Sequence, residues 1–239
     1  ARTRLGAKAP SRRLHTRFAC TPCGTTITPD GATKRRMKKI LIFSLAYYPH
    51  IGGAEVAVKE ITNRVPSGEV EFHLITHRFD ACLPQEERLG NVFVHRIGRG
   101  SSRLAKFLFQ FTAAFAALRL HRRARFDGVW AVMAHSAGVP AVLFKLRYPR
   151  VPLLLTLQEG DPPEYVERVM RPLWPLFSRA FTKADAVQAI STFLADWARR
   201  RGAHGIVEVV PNGVDTARFA LAHGDADSAA LRATFGAKP

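Results

Sequence analysis

The stretch that decides the fold is KKILIFSLAYYPHIGGAEVAVKEITNRV, residues 38–65. It opens with a short continuous apolar run, residues 40–43, of the kind that is buried on both faces of a parallel sheet. A loop containing Gly52 and Gly53 follows, and then apolar residues recur at helical spacing until Pro66 ends the pattern. A central strand, a glycine-containing loop and a helix form the opening unit of a doubly wound fold.

The same alternation of strand and helix patterns continues along the chain. Further strands are predicted at Val70–Thr76, Val92–Ile97, Gly128–Met133, Val151–Leu157, Ala186–Ile190 and Ile206–Val210. Helices are predicted at Arg103–Arg125, Ala137–Leu146 and Phe193–Arg201, with one or two broken helices over Pro163–Thr182. This spacing predicts an α/β fold, a Rossmann-like doubly wound, mostly parallel sheet with helices on both faces.

Composition and charge restrict the classes of protein to which the chain can belong. The 239 residues are 47% hydrophobic, which is enough to bury a sizeable core. No apolar run reaches the roughly 18–20 residues of a membrane-spanning helix. Three cysteines cannot form a disulfide framework, which favours a reducing, cytoplasmic compartment. The net charge of +17 suggests nucleic acid or an anionic membrane as a partner.

Almost half of this excess charge lies in the first 36 residues. They carry nine basic residues and one acidic residue, against 27 and 18 in the rest of the chain, and they show no apolar periodicity. We expect residues 1–36 to be a disordered basic leader. Three origins stay open: an organelle transit peptide, a basic interaction arm, or sequence upstream of a natural start at Met37. Cys20 and Cys23 resemble half a zinc site, but no second ligand pair follows, so no metal site is predicted.

Residues that could bind a ligand or take part in catalysis follow the predicted strands. Gly52 and Gly53 precede the first helix, so its amino terminus could face a phosphate, although the pair also fits a simple turn. His135 follows a buried strand and precedes Ser136, which is placed to cap the next helix. Its imidazole could bind a sugar hydroxyl or assist proton movement, or it could be a packing histidine.

Two later loops carry further polar groups. The loop Gln158–Glu159–Gly160–Asp161 offers an amide and two carboxylates suited to polyhydroxylated ligands, while Asp161 could instead cap the helix that begins at Pro162–Pro163. Ser191 is placed to cap the helix after the next strand, with Gly202 ending that helix. The run PNGVD, which contains Asn212 and Gly213, has the composition of a turn.

Taken in order, these segments resemble the amino-terminal half of a family 4 glycosyltransferase of GT-B architecture. The matching motifs are KKILIFSLAYYPHIGGAE, DGVWAVMAHSAGVPAV, VPLLLTLQEGDPP and ADAVQAISTFLADWARRRG followed by VEVVPNGVDTARF. Of these motifs, ADAVQAISTFLADWARRRG followed by VEVVPNGVDTARF is the most specific to the family. The resemblance covers residues 37–219, a Rossmann-like domain. It implies that residues 220–239 begin an interdomain connection and that the carboxyl-terminal donor domain lies outside the chain.

The resemblance also implies roles for individual residues in a retaining sugar transfer from a nucleotide-sugar donor to a glycan or lipid-linked acceptor. Gly52 and Gly53 would bind the donor's diphosphate, and His135 would be the catalytic residue near the donor sugar. Gln158, Glu159 and Asp161 would bind the acceptor, although many family members have histidine where this chain has Gln158. Ser191, Asn212 and Gly213 would support the cleft. No cofactor or essential metal is expected, and we expect the chain by itself to be inactive.

Other functions stay open alongside the resemblance. One is a nucleotide-sugar epimerase, which has the same architecture. Another is a basic α/β module that binds nucleic acid. The basic residues of the core are scattered and lack interleaved aromatic residues, so no nucleic acid is expected. Arginines surround an apolar stripe on the helix at residues 103–125, and residues 170–181 mix aromatic and basic side chains. Both features suit a peripheral protein on an anionic membrane at the inner face of the plasma membrane, although the stripe could equally pack on the sheet.

Overall fold

The computed structural model describes residues 25–27, 33–66, 68–216 and 232–234, with side chains from residue 36 onward. The strands are β1 (Thr25–Ile27), β2 (Thr33–Arg35), β3 (Lys38–Phe43), β4 (Val70–His77), β5 (Glu86–Leu89), β6 (Val92–Ile97), β7 (Gly128–Val132), β8 (Leu153–Leu157), β9 (Ala186–Ala189) and β10 (Ile206–Val209). The α-helices are α1 (Gly53–Arg64), α2 (Arg103–Ala124), α3 (Ala134–Arg147), α4 (Pro163–Val169), α5 (Trp174–Lys183) and α6 (Thr192–Arg200). A 3₁₀ turn, Arg171–Leu173, joins α4 to α5.

Two compact units make up the chain, residues 1–37 and residues 38–239. In the first unit, β1 and β2 pair antiparallel, with Thr25 opposite Arg35. The sequence did not predict this pair, and most of the expected basic leader lies outside the described residues. Cys20 and Cys23 lie outside them as well, so the expectations for this segment stay predictions.

The second unit is built on one eight-stranded sheet with the order β10-β9-β8-β7-β3-β4-β6-β5. All neighbours are parallel except β5 and β6. The chain winds from β3 toward β4 and β6, then returns to β7 on the other side of β3 and winds the opposite way. The strand order therefore reverses between β3 and β7, the position at which open α/β sheets form a binding crevice.

Side chains from the central strands are buried on both faces of the sheet, as the continuous apolar run predicted. Leu41 and Phe43 join a core with residues of α2, α3, α5 and α6, whereas Ile42 joins a second core with Ala54 and Val58 of α1. All three strand residues are fully buried. The prediction of a mostly parallel sheet with helices on both faces is confirmed.

Three local predictions differ from the structure. The edge strand β5 was missed because its sequence EERL has no sustained apolar alternation. A charged strand at the edge of a sheet does not need that alternation. Helix α3 begins three residues earlier than predicted, for a reason described below. Residues 170–181 were expected to offer aromatic and basic side chains to a membrane; Phe177 is instead buried in the core, whereas Trp174 is only partly buried.

Candidate functional site

The polar residues singled out in the sequence converge on one edge of the sheet, at the carboxyl ends of β3, β7 and β8. The loop that carries Gly52 and Gly53 leaves β3, and His135 follows β7. These two strands are neighbours, and the strand order reverses between them. The loop containing Gln158 and Glu159 leaves β8, the next strand. The site therefore lies at the topological switch point of the fold.

The turn between β7 and α3 is tight and strained. Met133 has φ of 69° and ψ of 128°, a combination that non-glycine residues rarely adopt. Its amide donates to the Thr156 carbonyl at 2.9 Å, and the Trp130 indole donates to the Thr156 hydroxyl at 2.8 Å. These contacts from the neighbouring strand hold the backbone in this conformation and bring His135 into the first turn of the helix.

A carboxylate from the loop after β8 supplies the acceptor at the amino terminus of α3. Glu159 Oε1 accepts the amide proton of Ala134 at 2.5 Å. Because this acceptor comes from a loop distant in sequence, the helix starts at Ala134 without a local cap. Ser136, predicted to cap the helix, instead lies inside it and donates to the Val132 carbonyl at 3.3 Å. The capping prediction for Ser136 is therefore wrong.

Glu159 also lies beside His135. Its Oε1 is 3.8 Å from His135 Nδ1, which is buried, while the His135 side chain as a whole is 28% exposed. The Glu159 side chain is only 1% exposed. Neither His135 Nδ1 nor Glu159 Oε2 has a hydrogen-bond partner among the described residues. The pair thus combines an interior carboxylate with an imidazole that presents its other edge to solvent.

Gln110, which the sequence analysis did not single out, fixes the same turn from the other side. It lies on the buried face of α2 and donates through Nε2 to the carbonyls of His135 and Ser136, both at 3.2 Å. Pro140 lies inside α3 and has no amide proton, so the Ser136 carbonyl lacks its usual helical donor. The signal in the sequence was a glutamine within an apolar helix face together with a proline within the next helix.

The loop after β3 presents bare backbone at the start of α1. Gly52 is the residue before the helix, in extended conformation and without a side-chain cap. A Cβ on Gly53 would meet nothing within 4 Å, whereas one on Gly52 would come within 2.6 Å of Glu55 Oε2. The helix amino terminus therefore has open space beside Gly53 and a carboxylate beside Gly52.

Tyr47 belongs to the same loop and was also missed. Its ring is 2% exposed, and its hydroxyl has no hydrogen-bond partner in the described part of the chain. Burial, with a smaller contribution from neighbouring Tyr48, raises the pKa of Tyr47 to about 12. The phenol therefore keeps its proton even in mildly alkaline solution.

The loop after β8 divides into a buried and an exposed half. Gln158 is 7% exposed and accepts a hydrogen bond from Asn212 Nδ2 at 3.3 Å, so two predicted site residues from distant segments meet. Asp161 is exposed. Helix α4 begins after Pro162 without a side-chain cap, so the alternative that Asp161 caps it is wrong.

Residues near the carboxyl end of the described chain have mainly local roles. Ser191 caps α6 by accepting the Leu194 amide proton at 3.3 Å, as predicted. Gly202 ends the helix with φ of 84°, a left-handed conformation that favours glycine. Gly213, in the run whose composition predicted a turn, does not have a positive φ. Asp215 lies 3.8 Å from Arg64 of α1.

The described residues lack two features. They contain no group of three or more His, Cys, Asp or Glu side chains placed to hold a metal ion. No helix among them is long and apolar enough to cross a membrane.

Comparison with solved structures identifies the architecture. Sucrose-phosphate synthase from Thermosynechococcus elongatus superposes with a TM-score of 0.57 at 15% identity, over 84% of this chain and 53% of that one. A shorter chain of the same protein has a TM-score of 0.55 at 16% identity, over 81% of this chain and 99% of that one. An E. coli protein described as trehalose-6-phosphate, bound with UDP-2-fluoro glucose, has a TM-score of 0.54 at 13% identity, over 82% of this chain and 54% of that one. The galactosyltransferase WaaB of the lipopolysaccharide outer core has a TM-score of 0.52 at 17% identity, over 75% of this chain and 46% of that one.

These likenesses show the fold, which is the amino-terminal, Rossmann-like half of a GT-B glycosyltransferase. The chain spans about half the length of the complete proteins that it matches. No curated protein sequence matches it. The sequence model of glycosyltransferase family 4 matches residues 51–218, well over half of the 239 residues. The chain therefore belongs to glycosyltransferase family 4.

Proposed function

We propose that this domain is the acceptor side of a retaining glycosyltransferase that moves a hexose from a nucleotide-sugar donor to a glycan or lipid-linked acceptor. The observation that carries the proposal is the arrangement at the switch point, where a partly exposed imidazole follows β7 and an open helix amino terminus follows the adjacent β3. A sugar diphosphate needs both features, a group that hydrogen-bonds its hydroxyls and backbone donors that face its phosphates. The UDP-2-fluoro glucose bound to the E. coli relative supports the donor class.

His135 is the residue that we propose for contact with the donor sugar. Its buried Nδ1 faces the Glu159 carboxylate 3.8 Å away, which favours the tautomer with the proton on Nδ1. The solvent-facing Nε2 is then a hydrogen-bond acceptor for a sugar hydroxyl. Glu159 was predicted to bind the acceptor, but its side chain is interior. We therefore propose that it positions His135 and does not touch the acceptor.

Gly53 is proposed to bind the donor's diphosphate through its backbone. The open space beside it lies at the amino terminus of a 12-residue helix, where the peptide N–H groups and the macrodipole favour negative charge. The Glu55 carboxylate occupies the neighbouring position beside Gly52. Gly53 is therefore the better-placed member of the pair.

On the acceptor side, we propose different roles for Asp161 and Gln158. Asp161 is exposed and free to receive hydroxyl donors of an acceptor. Gln158 has its carbonyl oxygen engaged by Asn212, which leaves its amide N–H groups for a ligand. Asn212 supports the cleft by fixing this orientation.

We further propose that transfer occurs in the cytoplasm, needs no essential metal and requires more than this chain. The described cysteine, Cys82, is free and exposed, which suits a reducing compartment. The complete relatives are matched over about half their length. We expect the isolated chain to release no nucleoside diphosphate from UDP-, ADP- or GDP-hexoses, and measurable turnover by it would refute this part of the proposal.

The experiment that tests the role of His135 uses the natural full-length protein with a panel of nucleotide sugars and measures release of nucleoside diphosphate. His135→Ala should lower turnover at least tenfold, about 1.4 kcal/mol in the barrier, with little change in Tm. His204→Ala, which changes an exposed histidine beyond α6, is the matched control and should leave turnover unchanged. An equal loss of turnover and of stability would show that His135 is a packing residue.

A further inference from the structure

Helix α2 is apolar on two opposite faces. One face packs on the sheet through Phe109, Ala113 and Ala117, each at most 1% exposed. The opposite face carries large apolar side chains that are 39–70% exposed, at the helical spacing of a single stripe: Leu104, Phe107, Leu108, Phe111 and Phe115. A helix that covers a sheet needs only one apolar face. The sequence left open whether this stripe packs on the sheet, and the structure shows that it does not.

The exposed stripe groups five of the sixteen exposed large apolar side chains of the described residues on one helix face. Three of the four exposed phenylalanines there belong to it, the other being Phe193 on α6. Phe107 and Phe111 contact each other, with ring centroids 5.7 Å apart. Exposed large apolar residues are common singly, whereas a continuous group of them marks a surface that binds a partner.

The charged residues of α2 are all basic. Helix α2 has no acidic residue, and the sequence contains none from Arg88 to Phe126. Both ends of the stripe carry cations: Arg103 and Lys106 at one, Arg119, Arg122 and Arg123 at the other. None of these five forms an ion pair with another described residue. Their charge is available to an anionic partner.

At the carboxyl end of α2 the apolar and basic groups share one open surface groove. Its volume is about 340 Å³, and it is lined by Phe115, Leu118, Arg119, Arg122 and Arg123. Guanidinium groups bind phosphate oxygens through paired hydrogen bonds. An apolar surface edged with arginines therefore matches a phosphate group attached to a hydrocarbon chain.

We propose that this face of α2 docks the protein on an anionic phospholipid membrane, with the phenylalanine stripe in the interface and the arginines on lipid phosphates. Helices that lie in a membrane interface likewise place large apolar side chains at the headgroup boundary and basic residues near anionic lipids. A second copy of the chain is a poorer occupant, because both ends of the stripe are basic, and a symmetric contact would oppose like charges in either direction. The proposal is independent of sugar transfer, since it concerns only this surface.

The test is flotation of the complete chain with vesicles of phosphatidylcholine containing about 30% phosphatidylglycerol, at low and at high salt. We expect binding at low salt, at least tenfold weaker binding to pure phosphatidylcholine, and weakening by salt because ions screen the arginine contacts. Phe111→Ser/Phe115→Ser and Arg119→Ala/Arg122→Ala should each weaken binding at least tenfold. Unchanged Tm values would show that both variants fold.

Two controls match these variants in chemistry but lie on α6. Arg199→Ala/Arg200→Ala removes the same formal charge, with Arg199 taken from an ion pair with Asp196, and Phe193→Ser removes an exposed phenylalanine. Both should bind within twofold of wild type, and the basic residues 1–36 are the same in every protein. The proposal is overturned if the α2 variants float like wild type, or if wild type does not float at low salt. It is also overturned if wild type is an oligomer that the phenylalanine variant dissociates without any vesicle binding.

Discussion

Removing the charge of Glu159 is the perturbation that tests the site most directly. Its Oε1 accepts the Ala134 amide proton at the amino terminus of α3, and its side chain is 1% exposed. Glu159→Gln keeps an oxygen acceptor but loses the negative charge that stabilises the helix terminus. It also places an amide N–H group where Oε2 is buried without a partner.

The expected cost follows from these contacts. A hydrogen bond to a charged acceptor contributes about 1 kcal/mol more than one to a neutral acceptor, and a buried charge near a helix terminus contributes up to about 2 kcal/mol. Part of this loss is offset because a buried carboxylate no longer has to be desolvated. We expect Glu159→Gln to lower the free energy of unfolding by about 1–2 kcal/mol. Glu159→Ala, which leaves the Ala134 amide unpaired, should cost about 2–4 kcal/mol.

The measurement is urea unfolding of the complete chain at pH 7, followed by far-ultraviolet circular dichroism, with the slope compared between variants. Glu164→Gln is the matched control, because Glu164 is an exposed acidic residue in the first turn of α4. It should cost less than about 0.5 kcal/mol. If Glu159→Gln costs no more than Glu164→Gln, the carboxylate is not what starts α3, and our account of how His135 is positioned fails.

Three further predictions concern helices around the site. Gly53→Ala should leave Tm unchanged or slightly higher, since the new methyl meets nothing within 4 Å, while raising the donor KM of the full-length protein. Gly138→Ala should cost about 1–2 kcal/mol in urea unfolding, because its Cβ would lie 2.8 Å from Ala180 Cβ, and Ala180→Gly should restore the loss. Burial, and next the charge of Arg125, lower the pKa of His121, whose Nδ1 accepts the Phe126 amide proton at 3.2 Å. The unfolded chain then binds the proton more readily, so stability should be complete above about pH 6.5 and fall on acidification. His121→Gln should flatten this fall between pH 7.5 and 5.5, and an unchanged profile would contradict the assignment.

Most of the fold could be predicted because its signals are local. The apolar run at residues 40–43 and the helical spacing after Gly53 reflect burial on each side of a parallel strand, and such patterns are visible without tertiary contacts. Strand β5 was not predicted because an edge strand has little apolar surface to bury. The start of α3 was not predicted because the acceptor of its first amide, Glu159, lies 25 residues away from Ala134 in sequence.

The candidate site was predicted in its location but not in its connections. Position after a strand was enough to select His135, Gly53 and Gln158, since parallel strands bring their carboxyl ends to one edge. The partnership of Gln110 with the carbonyl freed by Pro140 joins two helices, and no spacing rule indicates it. The burial of Glu159 also depends on packing that a loop sequence does not show.

The sequence by itself determined the alternation of strands and helices, the edge of the sheet at which the candidate site residues gather and the excess of positive charge, since each follows from residue order and composition. Only the tertiary structure decided which face of α2 is covered. Both faces of that helix are apolar, so its sequence pattern is the same whether the phenylalanines or the alanines meet the sheet. Contact with the neighbouring helix and strands buries the alanine face, because small side chains allow close approach, and leaves the phenylalanine stripe exposed.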